Sequence, residues 1–207
     1  MRLKRGMRRD ELLRSLRDRI ADERVVDAIA AVPRELFVDP LFAGAAYDDA
    51  AQPIGGGQTI SQPTVVARMC ELLELSPRDR VLDVGTGSGY HAAVLSRLCA
   101  HVFGVELDPS LADAARRALA AAGIDNVTVV AGDGARGLPE HAPFDAINVA
   151  AAARDQVPPE LVRQLALGGR LVAPVARRGD EHLVLVRRRE DGLEERVLEP
   201  VRFVPLR

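Results

Sequence analysis

Ten residues constrain this 207-residue chain more than any others: Val81-Leu82-Asp83-Val84-Gly85-Thr86-Gly87-Ser88-Gly89-Tyr90. An apolar run ends in an acid, three glycines follow at alternate positions, and a helical pattern begins at once. That pattern marks a strand turning tightly into a helix, with side chains removed where a ligand meets backbone. A chain that carries it is expected to build an α/β sheet and to bind its ligand beyond the carboxyl ends of the strands. The spacing is G-x-G-x-G, whereas the common dinucleotide fingerprint is G-x-G-x-x-G.

The rest of the chain fits that expectation. Strand-like apolar runs at 80–84, 101–106, 127–131, 144–149 and 170–175 alternate with helical periods at 88–99, 109–122 and 158–167. Alternation of this kind implies right-handed crossovers and a doubly wound, mostly parallel sheet covered on both faces. The tail differs. Runs at 182–188 and 196–204, bridged by Glu190-Asp191-Gly192, predict an antiparallel edge.

Upstream, residues 9–31 predict two short helices. Leu12, Leu13, Leu16 and Ile20 make one stripe, Asp22 is a candidate N-cap, Val25, Val26 and Ile29 make the next stripe, and Pro33 stops it. Residues 34–63 show no long period and hold Pro40, Pro53, Pro63 and the run Gly55-Gly56-Gly57. A loop this long inside a domain is a functional candidate. A helix carrying Val65, Val66, Met69, Leu72 and Leu73 follows and closes at Pro77. The expected organisation is one domain over 1–207, with N-terminal helices and a substrate or lid segment in 1–63 and a cofactor-binding sheet in 64–207.

Composition narrows the class. Apolar residues at 47% exclude disorder, and aromatics at 3% leave the core to Leu, Val, Ile and Ala. With 28 Lys plus Arg against 30 Asp plus Glu, bulk charge makes no case for nucleic acid. The Arg-rich first 24 residues read as a solvated helix face. Cys70 and Cys99 sit in helical apolar patterns and are expected to be buried and reduced. No signal-peptide h-region and no run of 18 apolar residues is seen, so a cytoplasmic protein without a membrane partner is expected.

Glu106 ends the second strand of the alternating series, 21 residues after Gly85. A carboxylate there can accept from both hydroxyls of a ribose. NAD and S-adenosylmethionine both carry that ribose, so Glu106 leaves the two open. The early third glycine suits an amino-acid-like group better than a pyrophosphate. Asp133, between Gly132 and Gly134 after the third strand, can accept from an exocyclic adenine amine. There is no Ser-His-Asp arrangement, no G-x-S-x-G and no metal-ligand cluster, so no metal is expected.

Several strings together resemble the protein-L-isoaspartate (D-aspartate) O-methyltransferase family. They are Val32-Pro33-Arg34-Glu35-Leu36-Phe37-Val38, Gly57-Gln58-Thr59-Ile60-Ser61-Gln62-Pro63, Val81 to Tyr90, Gly132-Asp133-Gly134, Pro143-Phe144-Asp145-Ala146-Ile147, Gly168-Gly169-Arg170-Leu171-Val172 with Pro174, and Phe203-Val204-Pro205-Leu206. The Thr-Ile-Ser-Gln-Pro string and the Phe-Val-Pro-Leu ending are the most specific of these. The resemblance implies a Rossmann-like class I methyltransferase whose last two strands are exchanged relative to most of that class. It implies S-adenosyl-L-methionine as cofactor, S-adenosyl-L-homocysteine as product, and isoaspartyl-containing proteins and peptides as substrates, their esterification starting repair. It carries a catalytic role to Ser61. Cofactor contacts are implied for Thr59, Ile60, Ser61, Asp83, Gly85, Thr86, Gly87, Gly89, Glu106, Leu107, Asp133 and Gly134. A monomer is expected.

The implied reaction is an in-line displacement by a carboxylate oxygen on a sulfonium methyl, and a carboxylate needs no general base at neutral pH. Placement and dryness then do the work. Two departures stand out: Gln52 replaces an expected apolar residue in the segment that should receive substrate, and Ala176 replaces a glycine. His91 stands where glutamine is expected and reads as a surface or supporting residue. The competing readings are a relative that esterifies aspartate in a modified peptide, a non-catalytic S-adenosylmethionine-binding module, and a nicotinamide oxidoreductase.

Overall fold

Two short helices open the described part of the protein. The structure, a computed structural model, describes residues 8–207, so the first seven residues of the Arg-rich stretch lie outside it. In α1 (Arg9–Arg17) Leu12 and Leu16 are buried, and in α2 (Glu23–Ala31) Val25, Val26 and Ile29 are, as the two apolar stripes require. Asp22 caps α2 by accepting from Arg24 N at 3.0 Å.

The unpatterned stretch that follows is not a plain loop. After 3-10 turns at Arg34–Leu36 and Pro40–Ala45, β1 (Gln52–Gly55) and β2 (Gln58–Ile60) form an antiparallel hairpin. Its turn uses Gly55, Gly56 and Gly57, at φ of 92°, 58° and 72°. Strands of three and four residues are too short to show an alternation in sequence. Next come α3 (Pro63–Leu72), β3 (Arg80–Val84), α4 (Tyr90–Leu95), β4 (His101–Glu106), α5 (Pro109–Ala121), β5 (Val127–Ala131), β6 (Phe144–Val149), β7 (Ala153–Arg154), α6 (Pro159–Arg163), β8 (Leu165–Arg177), β9 (Asp180–Arg189) and β10 (Gly192–Pro200).

The large sheet runs β10-β9-β8-β6-β3-β4-β5, with β7 paired beside β8. From β5 to β8 the pairing is parallel, and β9 and β10 run antiparallel to their neighbours. The last strands thus follow one another in chain order, the exchange that the resemblance implies. Both faces are buried, residue by alternate residue. Val81, Leu183 and Leu185 join a core under α1 to α5, while Leu82, Val184 and Val186 join a second core with Phe144, Ile147 and Leu161 of α6.

Several predicted boundaries move, the helix expected to close at Pro77 ending already at Leu72. The helix expected over 88–99 ends at Leu95, where Ser96 Oγ donates to Ala93 O at 2.7 Å and Asn126 Nδ2 claims the Ser96 carbonyl at 2.9 Å. The helix expected over 158–167 stops at Arg163, because Leu165 already pairs with Phe144 and starts β8. The last strand is 192–200 rather than 196–204: Pro200 offers no amide hydrogen, and the chain leaves the edge there. It then returns over the carboxyl ends of the strands, where Ala152 N donates to Val204 O and Leu206 N to Ala152 O, each at 2.8 Å.

Candidate functional site

Beyond the carboxyl ends of β3 and β4 lies a crevice lined by Thr59, Gly85, Gly87, Glu106, Leu107, Gly134, Ala150, Ala151 and the returning Val204 to Arg207. Glu106 is nearly buried and holds two backbone donors, Gly87 N at 2.8 Å and Asp108 N at 3.0 Å. The helix-capping role that Glu106 could have filled belongs to Asp108, which accepts from Ser110 N at 2.8 Å. Glu106 is left facing the crevice. Each of its oxygens keeps a lone pair for a hydroxyl donor. Gly89 is the left-handed N-cap of α4 at φ 88°, and a Cβ there would stand 3.2 Å from Ala115 Cβ of α5. It serves helix packing behind the loop rather than the crevice itself.

Below the loop is a buried polar chain. Asp83 is fully buried, and its Oδ1 accepts from Asn148 Nδ2 at 2.7 Å. The same amide lies 3.1 Å from His91 Nδ1, and His91 Nε2 lies 3.5 Å from Cys70 Sγ. The two Asn148 amide hydrogens therefore serve Asp83 and His91, which places the ring proton on Nε2, toward Cys70. His91 is thus not a surface residue. It is 6% exposed, and burial lowers it to about 3, so its ring is neutral. Burial also pushes Asp83 up to about 6, against the pull of the Asn148 hydrogen bond. Asp83 Oδ2 and Asn148 Oδ1 are buried without partners. Two unsatisfied acceptors under a glycine loop suit a cationic amine.

Thr86 is buried with its hydroxyl donating to Asp83 O at 3.1 Å. Asp133 is exposed and caps the 3-10 turn at Gly134–Arg136 through Ala135 N at 2.9 Å. Its side chain stands outside the crevice lining, which Gly134 supplies instead. A Cβ at Gly134 would meet Val84 Cγ1 at 2.7 Å, so only glycine fits.

Two further hollows adjoin the crevice. One is lined by Thr59, Ile60, Ser61, Gly85, Thr86, Gly87, Tyr90 and Ala150. The other, of about 500 Å³, is lined by Ala51, Thr59, Ser61, Gln62, Val65, Ala150 and Pro200 to Val204. Thr59 and Ala150 line all three spaces, and Ser61 stands where the second and third meet.

The Ser61 hydroxyl is not spent as a helix cap. Asp49 does that work across the chain, accepting from Thr64 N at 2.9 Å, Thr64 Oγ1 at 2.7 Å and Gln62 Nε2 at 3.0 Å. Those hydrogen bonds outweigh burial and hold its carboxyl below the usual range. Gln52 is also buried. Its amide donates to Ala45 O, tying the hairpin to the preceding turn, and Gln52 does not line the hollow. Gln58 and the Val204 to Arg207 return also line the crevice; the family strings hold all of them but Arg207, yet no cofactor contact was implied for any of them.

Known proteins share this architecture. Residues 7–207 match the family model described as protein-L-isoaspartate(D-aspartate) O-methyltransferase. A protein-L-isoaspartate O-methyltransferase of Roseiflexus castenholzii is 53% identical over 191 residues, covering 92% of this chain and 87% of that one. One of Stenotrophomonas maltophilia is 54% identical over 201 residues, covering 96% and 88%. A solved protein-L-isoaspartate O-methyltransferase superposes with a TM-score of 0.85 at 31% identity, over 96% of this chain and 65% of that one. A Plasmodium falciparum structure of the same description, in complex with S-adenosyl-L-homocysteine, gives 0.84 at 26% identity over 98% and 99%.

Proposed function

The chain belongs to the protein-L-isoaspartate (D-aspartate) O-methyltransferase family, and from that premise we propose that it esterifies the free α-carboxylate of L-isoaspartyl and D-aspartyl residues in damaged proteins and peptides. S-adenosyl-L-methionine is the methyl donor and S-adenosyl-L-homocysteine the product. One observation carries the reading: the crevice that Glu106 faces, a small hollow against the glycine loop and a third of about 500 Å³ all share Thr59 and Ala150, with the uncommitted hydroxyl of Ser61 where the last two meet.

Glu106 is placed to hold a ribose, with Leu107 and Gly134 beside the base and Asp133 at its edge. The loop through Gly85, Thr86 and Gly87, which Gly89 ties to α5 from behind, receives the amino-acid end, with Asp83 beneath it. Thr59, Ile60 and Ser61 flank the middle hollow. When bound, the cofactor supplies a methyl group made electrophilic by sulfonium charge. The acceptor carboxylate has an ordinary pKa of about 4 and is already ionised. No base is needed, and Asp83 is buried away from the acceptor hollow. Ser61 donates to one carboxylate oxygen and so leaves the other to face the methyl.

The hairpin tip helps exclude water. Ile54 reaches to within 3.2 Å of where a Gly87 Cβ would stand, and Gly56 packs by Asp108 at the start of α5. In dry surroundings opposite charges that cancel on reaction are held less strongly by solvent. In this reading residues 1–207 work as one methyltransferase domain, monomeric and cytoplasmic, without a nucleic-acid partner.

Radiolabelled methyl transfer to matched isoaspartyl and aspartyl peptides tests the proposal. The isoaspartyl peptide is expected to be strongly preferred, and Ser61→Ala to lose about ten- to hundredfold in kcat/KM, the worth of a hydrogen bond to a charged group. Preference for the aspartyl peptide would overturn the substrate assignment. Full activity of a folded Ser61→Ala protein would remove Ser61 from the reaction.

A further inference from the structure

One fully buried cation stands behind the acceptor loop. Arg34, in the first 3-10 turn, is 0% exposed. Its Nε donates to Ala46 O and its Nη2 to Ser61 O, both at 2.8 Å. The guanidinium carbon lies 4.5 Å above the centroid of the Tyr90 ring, and Tyr90 is the first residue of α4, directly after the glycine loop. Nη1 is buried with no hydrogen-bond partner. Burying an arginine in this way is costly unless its donors find partners.

The three contacts explain why it is there. One planar group touches the end of the 40–46 turn, the peptide that follows Ser61 and the aromatic ring that anchors the cofactor loop. Holding the Ser61 carbonyl restrains ψ at Ser61 and so the direction in which Cβ leaves the backbone. Stacking on Tyr90 ties that choice to α4.

We infer that Arg34 is a positioning residue for methyl transfer, its guanidinium locking the Ser61 peptide to the start of α4 so that the acceptor loop and the cofactor loop keep one separation. The inference rests on the Ser61 reading given above. A lysine cannot substitute fully, because it lacks the planar fork that serves two carbonyls while stacking.

The test is a double-mutant cycle with Arg34→Met and Arg34→Lys, each made in wild-type and Ser61→Ala backgrounds and assayed well below the melting temperature. In wild type, Arg34→Met should lower kcat about ten- to hundredfold, with a smaller change in acceptor KM, and Arg34→Lys should fall between. S-adenosylhomocysteine affinity, measured by calorimetry, should move by less than about threefold, since Arg34 does not line the crevice. In the Ser61→Ala background the same substitutions should cost less than about threefold, because the hydroxyl they misplace is already gone. Should Arg34→Met fail to fold, Arg34→Lys runs the same cycle alone. Equal losses in both backgrounds, with Ser61→Ala itself impaired, would overturn the Arg34 inference and leave Ser61 standing. A fully active Ser61→Ala protein would overturn both.

Discussion

Replacing Asp83 by asparagine should make the protein more stable and its cofactor site weaker. Asp83 is fully buried, and burial raises its carboxyl from the ordinary 3.8 to about 6. At about 1.4 kcal/mol per pH unit, that difference disfavours the buried anion by about 3 kcal/mol. The sign follows from proton counts. Between about pH 4 and pH 6 the folded chain keeps a proton that the unfolded chain has lost, so stability falls as pH rises through that window and is flat above it. Asparagine keeps the shape, and its carbonyl can still accept from Asn148 Nδ2, but it never ionises. Wild type and Asp83→Asn should therefore melt together near pH 4. At pH 8 the variant should be more stable by as much as about 3 kcal/mol, or about 6–12 °C in a chain of this size. Thermal melts of the cofactor-free protein across that range measure the gap. The affinity of the variant for S-adenosylhomocysteine should meanwhile fall about ten- to hundredfold, as expected when a charged acceptor is lost under a cationic amine. Melting curves that stay parallel from pH 4 to pH 8 would refute the buried-anion account, and undiminished affinity would refute the contact with the amino group.

Two further substitutions probe the crevice. Glu106→Gln should weaken S-adenosylhomocysteine binding by about ten- to hundredfold in calorimetry, because one of the backbone donors now held by Glu106, Gly87 N or Asp108 N, would face an amide NH₂ instead of an oxygen. Unchanged affinity would remove Glu106 from the cofactor contacts. Gly134→Ala forces a methyl to 2.7 Å from Val84 Cγ1 and should cost about 1–3 kcal/mol, or about 2–4 °C per kcal/mol in the melt. Val84→Ala should recover part of that loss; strictly additive effects of the pair would count against the clash.

What could be seen in the sequence and what could not divide along a physical line. The sheet announced itself because Val81 and Leu82, or Val184 and Leu185, bury opposite faces, and hydropathy records burial of apolar groups directly. The glycine loop and Asp22 were visible because special backbone conformations and caps demand particular residues. The hairpin at 52–60 was not, since its two strands are shorter than any period. The return of Val204 to Arg207 was not either: it depends on backbone bonds to Ala152 that no side chain encodes.

The deeper failure concerns polar residues. Arg34 drew notice only as part of a family string, and the surface alternative offered for His91 fails where the supporting one fits, for both are buried. Whether a polar side chain can be buried depends on partners supplied by distant segments: Ala46 and Ser61 for Arg34, Asn148 and Cys70 for His91. Those partners are properties of the assembled fold. Asp83, already implied as a cofactor contact, is cross-linked to Asn148 and His91 beneath the cofactor loop, and Arg34 is cross-linked to the Ser61 peptide, so the buried polar groups are the ones that join the two halves of the site. An apolar core could have filled the same volume at lower cost. That the chain instead buries these groups at one junction is why substitutions there should change methyl transfer and cofactor affinity separately from stability.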